Sequence, residues 1–386
     1  MNDISRIFKR ELRRLVSRRA YLYGMVLVPL GIALFLVSLM DKGLPQPVPT
    51  AVVDLDNTSL SRNVVRNLDT QQTIEITRRF NSYEEAMEAI RTGEIFGFFY
   101  IPRNFAADAI AGKKPTLTYY SNMTFFVPGT LTYKGFKTMA VTTSGAIAVT
   151  KLQSAGVSSQ TVTPMMQPIV FDIHPLGNPW MNYNIYLSNS FGPCTLALMI
   201  ALMTVFSICI EIKDGTSGEW MKMAKGNVYT ALAGKLLPQT AIFTLVGSGI
   251  QAILYGWLHF PLNGSVPGML LAMFLLVVAS QSFAVIVVSI IPNMRLALSV
   301  CALTGILAFS IAGFSFPVNQ MYGAVGIFSY ILPIRYYFLI YIDQALNGID
   351  LYYSRTYFIS LILFFVVAAA IAWRLKKPLV KPVYLP

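Results

Sequence analysis

Along the chain, apolar runs long enough to cross a bilayer alternate with short polar loops, and one long segment has a different texture. Crossing about 30 Å of hydrocarbon takes about 20 helical residues, because in lipid every backbone N–H and C=O must find its partner within the segment. Six stretches reach that length without Asp, Glu, Lys or Arg: residues 20–40, 185–210, 236–258, 268–291, 296–316 and 356–373. One such charge at a helix centre costs about 2.5–3.5 kcal/mol on the insertion scale, so each clean window predicts a transmembrane helix. A seventh uncharged stretch, residues 317–334, is bounded by Pro317 and Pro333 and contains Gly323 and Gly326. It predicts a re-entrant or interfacial hairpin rather than a full crossing.

Ahead of the first span, residues 1–19 form a basic amphipathic pattern. At about 100° per residue, Ile4, Ile7, Phe8, Leu12, Leu15 and Val16 share one arc, while Arg6, Lys9, Arg10, Arg13 and Arg14 lie opposite. This is a helix for the membrane face, either an orienting lipid anchor, a docking element for a cytoplasmic partner, or both. With Arg374, Lys376, Lys377 and Lys381 in the tail, the positive-inside rule puts both ends in the cytoplasm and requires an even number of crossings. The loop after the second span then lies inside with Lys213, Lys222, Lys225 and Lys235, as does Arg295, whereas residues 259–267 lie outside with no Lys or Arg. The first apolar run is long enough to predict a retained anchor rather than a cleaved signal peptide.

Residues 41–184 read as a globule. Strand patterns at 51–55, 73–77, 96–101 and 116–120 alternate with helical patterns at 59–68, 82–91 and 104–111, followed by a longer helix over 122–156 and a Pro-rich connector over 163–180. The second helix opens with the capping pattern Ser82-Tyr83-Glu84-Glu85. The alternation predicts a small mixed α/β domain of about 130 residues, large enough for its own core. Asp54 and Asp56 at a strand end admit a metal or acid/base reading; the plainer reading, favoured because no third ligand converges, is a turn in which Asp56 or Asn57 caps the next helix. His174 and His259 are the only histidines and lie on different segments, a poor basis for a zinc site.

Composition narrows the class. Hydrophobic residues make up 55% of the 386 and charged ones 12%, too few for the wetted surface of an ordinary soluble enzyme and too apolar for a disordered chain. Cys194, Cys209 and Cys301 all sit in apolar runs, which excludes a disulfide scaffold. The net charge of +12 sits beside the spans rather than on a separate polar domain, so it reads as orientation signal and not as a nucleic-acid surface.

No phosphate-binding G-x-x-x-x-G-K-[ST] occurs, since the Gly-Lys pairs at Gly112 and Gly234 lack the upstream glycine and the following hydroxyl; G-x-S-x-G and H-E-x-x-H are also absent. Energy for any active transport must therefore come from another polypeptide. Attention falls on the internal loop 211–228, where a polar turn at Asp214, Gly215 and Thr216 starts a short amphipathic helix carrying Glu219, Trp220, Met221 and Met223. It is shaped either to dock in a partner's groove or to rest on the lipid interface.

These residues resemble the permease subunits of type-2 ABC exporters with a large external domain between the first and second spans. The resemblance covers nearly the whole chain. Val52-Val53-Asp54-Leu55-Asp56-Asn57-Thr58-Ser59 with Ser61-Arg62 looks like the family's opening strand and helix, Glu211 with Gly215-Thr216 like its coupling-helix motif, and Gly313-Phe314-Ser315-Phe316-Pro317, Leu332-Pro333 and Arg335-Tyr336 like its external hairpin. The chain departs from the usual acidic pattern with Lys213 before the Gly-Thr pair and Gly218 after it, and Glu219 is displaced by one position.

The resemblance implies a membrane α-helical protein. Its expected parts are an elbow helix (1–19), a first span (20–40), an extracytoplasmic α/β domain (41–184), five further spans in 185–374 with a re-entrant hairpin at 317–334, and a cytoplasmic tail (375–386). It further implies a bacterial inner-membrane exporter, multidrug efflux among the family's roles, that pairs with a second permease chain, identical or related. Two cytoplasmic ATPase subunits would bind the ATP and Mg, and in a two-membrane cell a periplasmic adaptor would join. Asp214, Gly215, Thr216, Glu219 and Trp220 would couple to the ATPase, and Phe316, Pro317, Pro333 and Arg335 would shape the hairpin. Within the bilayer, Gln251, Ser280, Gln281, Ser282 and Thr304 either line a translocation path or bond neighbouring helices. An ion-coupled secondary transporter is the main alternative, disfavoured because no charge lies mid-span and no inverted repeat appears. A membrane sensor with a ligand-binding external domain is the other.

Overall fold

The computed structural model describes residues 3–39, 41, 43, 47–71, 73–113, 115–154, 177–178 and 182–381. The chain divides into two units, Met1–Gly43 with His174–Pro386, and Leu44–Ile173. The Pro-rich connector expected over 163–180, His174 included, lies outside the described residues except for Gly177 and Asn178.

The first unit is helical. An amphipathic helix α1 (Asp3–Ser17) precedes the first span, α2 (Arg19–Leu39). Pro29 lacks an N–H and its ring crowds the turn before it, and there the helix widens into a π turn at Tyr23–Leu27.

In the second unit, β1 (Val48–Asp54), α3 (Ser59–Asp69), β2 (Ile74–Phe80), α4 (Tyr83–Arg91), β3 (Gly97–Ile101), α5 (Phe105–Ala111), β4 (Thr118–Ser121) and α6 (Phe126–Ser154) follow one another. The sheet has order β2-β1-β3-β4, with β1 parallel to both neighbours and β4 antiparallel to β3. Val52 and Phe99 pack on one face with Val64, Leu68 and Phe136, and Ala51, Val53 and Phe98 pack on the other with Ala86 and Ala89. Helices cover both faces, so the central strands read as continuous apolar runs.

Asp54 Oδ1 accepts from the backbone N–H of Asp56 and of Asn57, both at 3.0 Å, and Oδ2 accepts from Ser61 Oγ at 2.8 Å. The cap of α3 is Thr58, whose side chain accepts from Ser61 N; neither Asp56 nor Asn57 caps it, because Asn57 turns to φ +51 and Asp56 accepts from the Thr58 hydroxyl. At α4, Ser82 accepts from Glu85 N, but Glu85 reaches back to Asn81 N rather than to the cap itself.

The first unit resumes with α7 (Tyr183–Lys213), the short α8 (Ser217–Met223), α9 (Val228–Trp257), α10 (Val266–Ile290), α11 (Met294–Ile311), α12 (Gly323–Ser329), α13 (Pro333–Asn347) and α14 (Leu351–Val380). Among the described residues, six helices are long and apolar enough to span a membrane: α2, α7, α9, α10, α11 and α14. Between α12 and α13 the apolar stretch breaks with an 83° bend, and Pro333 sits in the first turn of the second arm. The hairpin is longer than the expected 317–334, since that arm continues to Asn347.

Two spans form the centre. In α7 and α10, 72% and 67% of the apolar window is buried within the protein, against 17–22% for α2, α11 and α14. Helix ends follow caps rather than charge. Asn227 accepts from Tyr229 N and Thr230 N, so α9 starts eight residues before the clean window and includes Lys235; α7 runs on past Ile210 to include Glu211. At the other extreme, α11 stops at Ile311, ahead of Gly313 at φ +99.

Candidate functional site

The loop between α7 and α9 is built around one carboxylate. Helix α7 ends at Lys213, Gly215 turns the chain at φ +71, and Thr216 returns its N–H to the Glu211 carbonyl at 2.9 Å while its hydroxyl bonds the Glu211 carboxylate. Glu211 is fully buried. Arg10 reaches it from α1 with two parallel bonds, Arg14 adds another, and Lys235 of α9 contributes a third cation at 3.0 Å. A carboxylate so enclosed is tolerable only because cations and a hydroxyl replace its water.

Lys235 continues the network. Its ammonium lies 2.7 Å from Glu11 and 4.9 Å above the Trp220 ring, and Glu11 accepts a further bond from Gln239 at 3.0 Å. Two exposed pairs flank the cluster, Arg18 with Asp214 and Lys225 with Asp3, each at 2.9 Å. Burial opposes the charge of Arg10, but the hydrogen bond and charge of Glu211 outweigh it and raise its pKa; the hydrogen bond to Asp214 raises that of Arg18.

Helix α1 therefore presents three faces rather than two. Ile7, Glu11 and Leu15 are buried against the bundle with Arg10 and Arg14 half-buried beside them, while Leu12 and Val16 are exposed on one side and Arg6, Lys9 and Arg13 on the other. Gly234 lets Ile7 approach, since a Cβ there would lie 2.7 Å from that of Ile7.

The apolar side of α8 meets the chain's own core, neither a partner nor lipid. Trp220 is fully buried, its indole N–H donating to the Ala231 carbonyl at 3.2 Å, and Met221 is buried beside it among Ile208, Ile212 and Val228. Asp214, Gly215 and Glu219 are exposed and Thr216 is half-buried, so the surface offered outward is polar.

The polar groups read as either lining a path or bonding neighbouring helices fall at three separate places among the described residues. Gln251 bonds the Met269 carbonyl and the Tyr337 hydroxyl, both at 3.0 Å, tying α9 to α10 and α13. Ser280 and Thr304 line a chamber of about 30 Å³ between α7, α10 and α11, and Thr304 bonds the Val300 carbonyl on its own helix. Gln281 and Ser282 line a separate cleft of about 430 Å³. In the hairpin, Phe316 and Pro317 are exposed and Pro333 is buried, while Arg335 donates to the Ala312 carbonyl at 3.4 Å and stacks 4.8 Å from the Tyr330 ring.

Sequence reasoning misses Arg10 and Arg14 as partners of Glu211 and Glu11 as the partner of Lys235, and it counts Lys235 as a loop charge. The available signal was an acidic residue, Glu11, in the apolar arc of an otherwise basic helix.

A family model described as ABC-2 family transporter protein matches residues 19–374. The chain belongs to that family. It is a multi-pass membrane permease of an ABC transporter, a transport subunit that works with ABC ATPase subunits and is not itself a nucleotide-binding domain. No match is found among curated proteins. In this permease the Glu211 cluster joins the loop that carries α8 to the amphipathic helix and to two spans.

Proposed function

We propose that this permease is the membrane half of an ATP-driven exporter carrying a hydrophobic or amphipathic substrate out of the cytoplasm or the inner membrane. The observation that carries the reading is Glu211. A single buried carboxylate bonds α1, the turn before α8, and α9, so a push on the outward polar face of α8 moves these elements together. ATP and Mg are bound by the partner ATPases, which dock at Asp214, Gly215, Thr216 and Glu219; Trp220 anchors α8 from inside. Their closure tilts the spans.

In this reading both termini and α8 face the cytoplasm, the α/β domain is extracytoplasmic, and the permease sits in a bacterial inner membrane. The exposed Lys213, Lys222 and Lys225 near the α7 and α9 ends favour that orientation. A second permease chain, identical or related, covers α11, whose Leu303, Ile306 and Leu307 are exposed. A periplasmic adaptor joins where the cell has an outer membrane, and drugs are among the cargo.

The test is co-purification of the permease with its ATPase and substrate efflux from proteoliposomes, comparing the wild type with Asp214→Ala and Glu219→Ala. Loss of ATPase association together with ATP-dependent efflux supports the reading. Unchanged association and efflux in both variants remove this loop from the mechanism, and efflux by the permease without ATPase overturns it.

A further inference from the structure

Helix α10 forms the floor of a cleft whose walls are α9 and α14, and the walls converge where residues Ala372–Leu375 meet α9. The cleft has a volume of about 430 Å³, within the range of small-molecule sites. Its width comes from the small side chains of α14, Ala368, Ala369 and Ala372, facing Leu232 and Leu236 of α9. Along α9 it runs from Tyr229 to Thr240, roughly 16 Å at the helical rise. Among the described residues, no charged side chain lines it.

The polar side chains of Thr240, Gln281 and Ser282 belong to the lining. Gln281 of α10, 4% exposed, pairs its amide oxygen with the Thr240 hydroxyl at 2.7 Å, and its amide nitrogen has no partner. One turn along α9, the Thr244 hydroxyl also has none. A buried amide left half-satisfied costs about 1–3 kcal/mol. A plain acyl chain in the cleft leaves that cost in place, whereas a molecule with one hydrogen-bonding group removes it. The amide nitrogen is enclosed, so the Gln281 side chain meets such a group by turning about its outer torsions.

The geometry points to a binding site in this cleft for one neutral, largely apolar molecule drawn from the bilayer, with a single hydrogen-bonding group seated at Gln281 and Thr240. An ion is excluded by the absence of a countercharge, since an unpaired charge in such a lining is far costlier than a neutral polar group. The site is separate from the α8 surface and binds its occupant without the ATPase.

The experiment uses the full chain in phosphatidylcholine nanodiscs, without ATPase, photolabelled with dodecanol carrying a diazirine and, in parallel, with the matching dodecane. Saturable labelling by the alcohol is expected on α9, α10 and α14, several-fold above the alkane. Ala369→Phe fills the cleft and abolishes it. Gln281→Leu weakens the alcohol roughly fivefold to tenfold, the loss of one hydrogen bond, and leaves the alkane unchanged. Equal labelling by the two probes, or alcohol labelling that survives Ala369→Phe, overturns the site and leaves a groove filled by bilayer chains. Neither result bears on ATPase docking, so the transport reading stands or falls separately.

Discussion

The Arg10 guanidinium meets the Glu211 carboxylate edge to edge, Nη1 to Oε1 at 2.8 Å and Nη2 to Oε2 at 3.0 Å, across 201 residues of sequence. This fork fixes the rotation of α1 about its axis as well as its position, which a point charge does not do. Arg10→Lys should therefore loosen α1 although the charge is kept. Glu211→Gln removes the anion facing Arg10, Arg14 and Lys235, and breaking a buried pair from one side costs about 3–5 kcal/mol. The expected result is a lower unfolding midpoint in detergent for Glu211→Gln, with a smaller drop for Arg10→Lys. A midpoint unchanged in Glu211→Gln would show that the cluster holds nothing together.

Lys235 gives a second test, because its ammonium is shared between Glu11 and Glu211 and fully buried. Lys235→Met should destabilise by about 3–5 kcal/mol, since among the described residues Glu11 then keeps Gln239 alone as a side-chain partner. Adding Glu11→Gln to Lys235→Met should recover part of the loss, because a neutral amide tolerates burial that a lone carboxylate does not. A double-mutant cycle on these two positions measures the coupling; strictly additive effects would contradict it.

The exposed pair beside the cluster behaves differently. Arg18 and Asp214 are 40% and 32% exposed at their side chains, so water and salt screen them. Arg18→Ala should change stability by less than about 1 kcal/mol and should matter less still at high ionic strength. A unfolding series at low and high salt distinguishes this pair from Arg10 and Glu211, whose burial shields them.

Trp220 and Glu219 are neighbours in sequence with opposite surroundings, one fully buried and one exposed. Trp220→Ala empties a core site and should cost about 3–5 kcal/mol. Glu219→Ala should change stability by no more than about 0.5 kcal/mol and still reduce recovery of the ATPase with the permease. If Glu219→Ala recovers as much ATPase as the wild type, the contact lies elsewhere on the loop.

The spans and the α/β alternation were legible because both rest on local period and length: a run such as 268–291 has no alternative to a helix in lipid, and Ser82 announces α4. The Glu211 cluster was not, for a reason built into the reading. A charge-free window stops short of any charge, so the second ends at Ile210, one residue before Glu211, and the third begins at Leu236, one residue after Lys235. Both charges then fall in a loop by sequence, although caps and helical bonding carry the helices through them. Their partners come from α1, about 200 residues away, a distance over which a single sequence gives no pairing signal. Trp220 likewise read as a docking side chain, since amphipathicity marks which face is apolar and not what covers it.

The turn after β1 in the α/β domain supplies the last test. Ser61 is fully buried and bonds in two directions: its hydroxyl donates to Asp54 Oδ2 at 2.8 Å and accepts from Thr58 N at 3.0 Å. Thr58 in turn caps α3 by accepting from Ser61 N at 3.2 Å. Thr58→Ala removes the cap and should cost about 1 kcal/mol. Ser61→Ala should cost more, because it leaves the Asp54 oxygen and the Thr58 N–H without that partner in a buried setting. Asp54→Asn keeps an acceptor for the Asp56 and Asn57 amides, so its loss should fall below that of Asp54→Ala. Hydrogen exchange at the amides of the first turn of α3 reads all four variants. If Ser61→Ala exchanged no faster than Thr58→Ala, the carboxylate would not be the keystone of the turn.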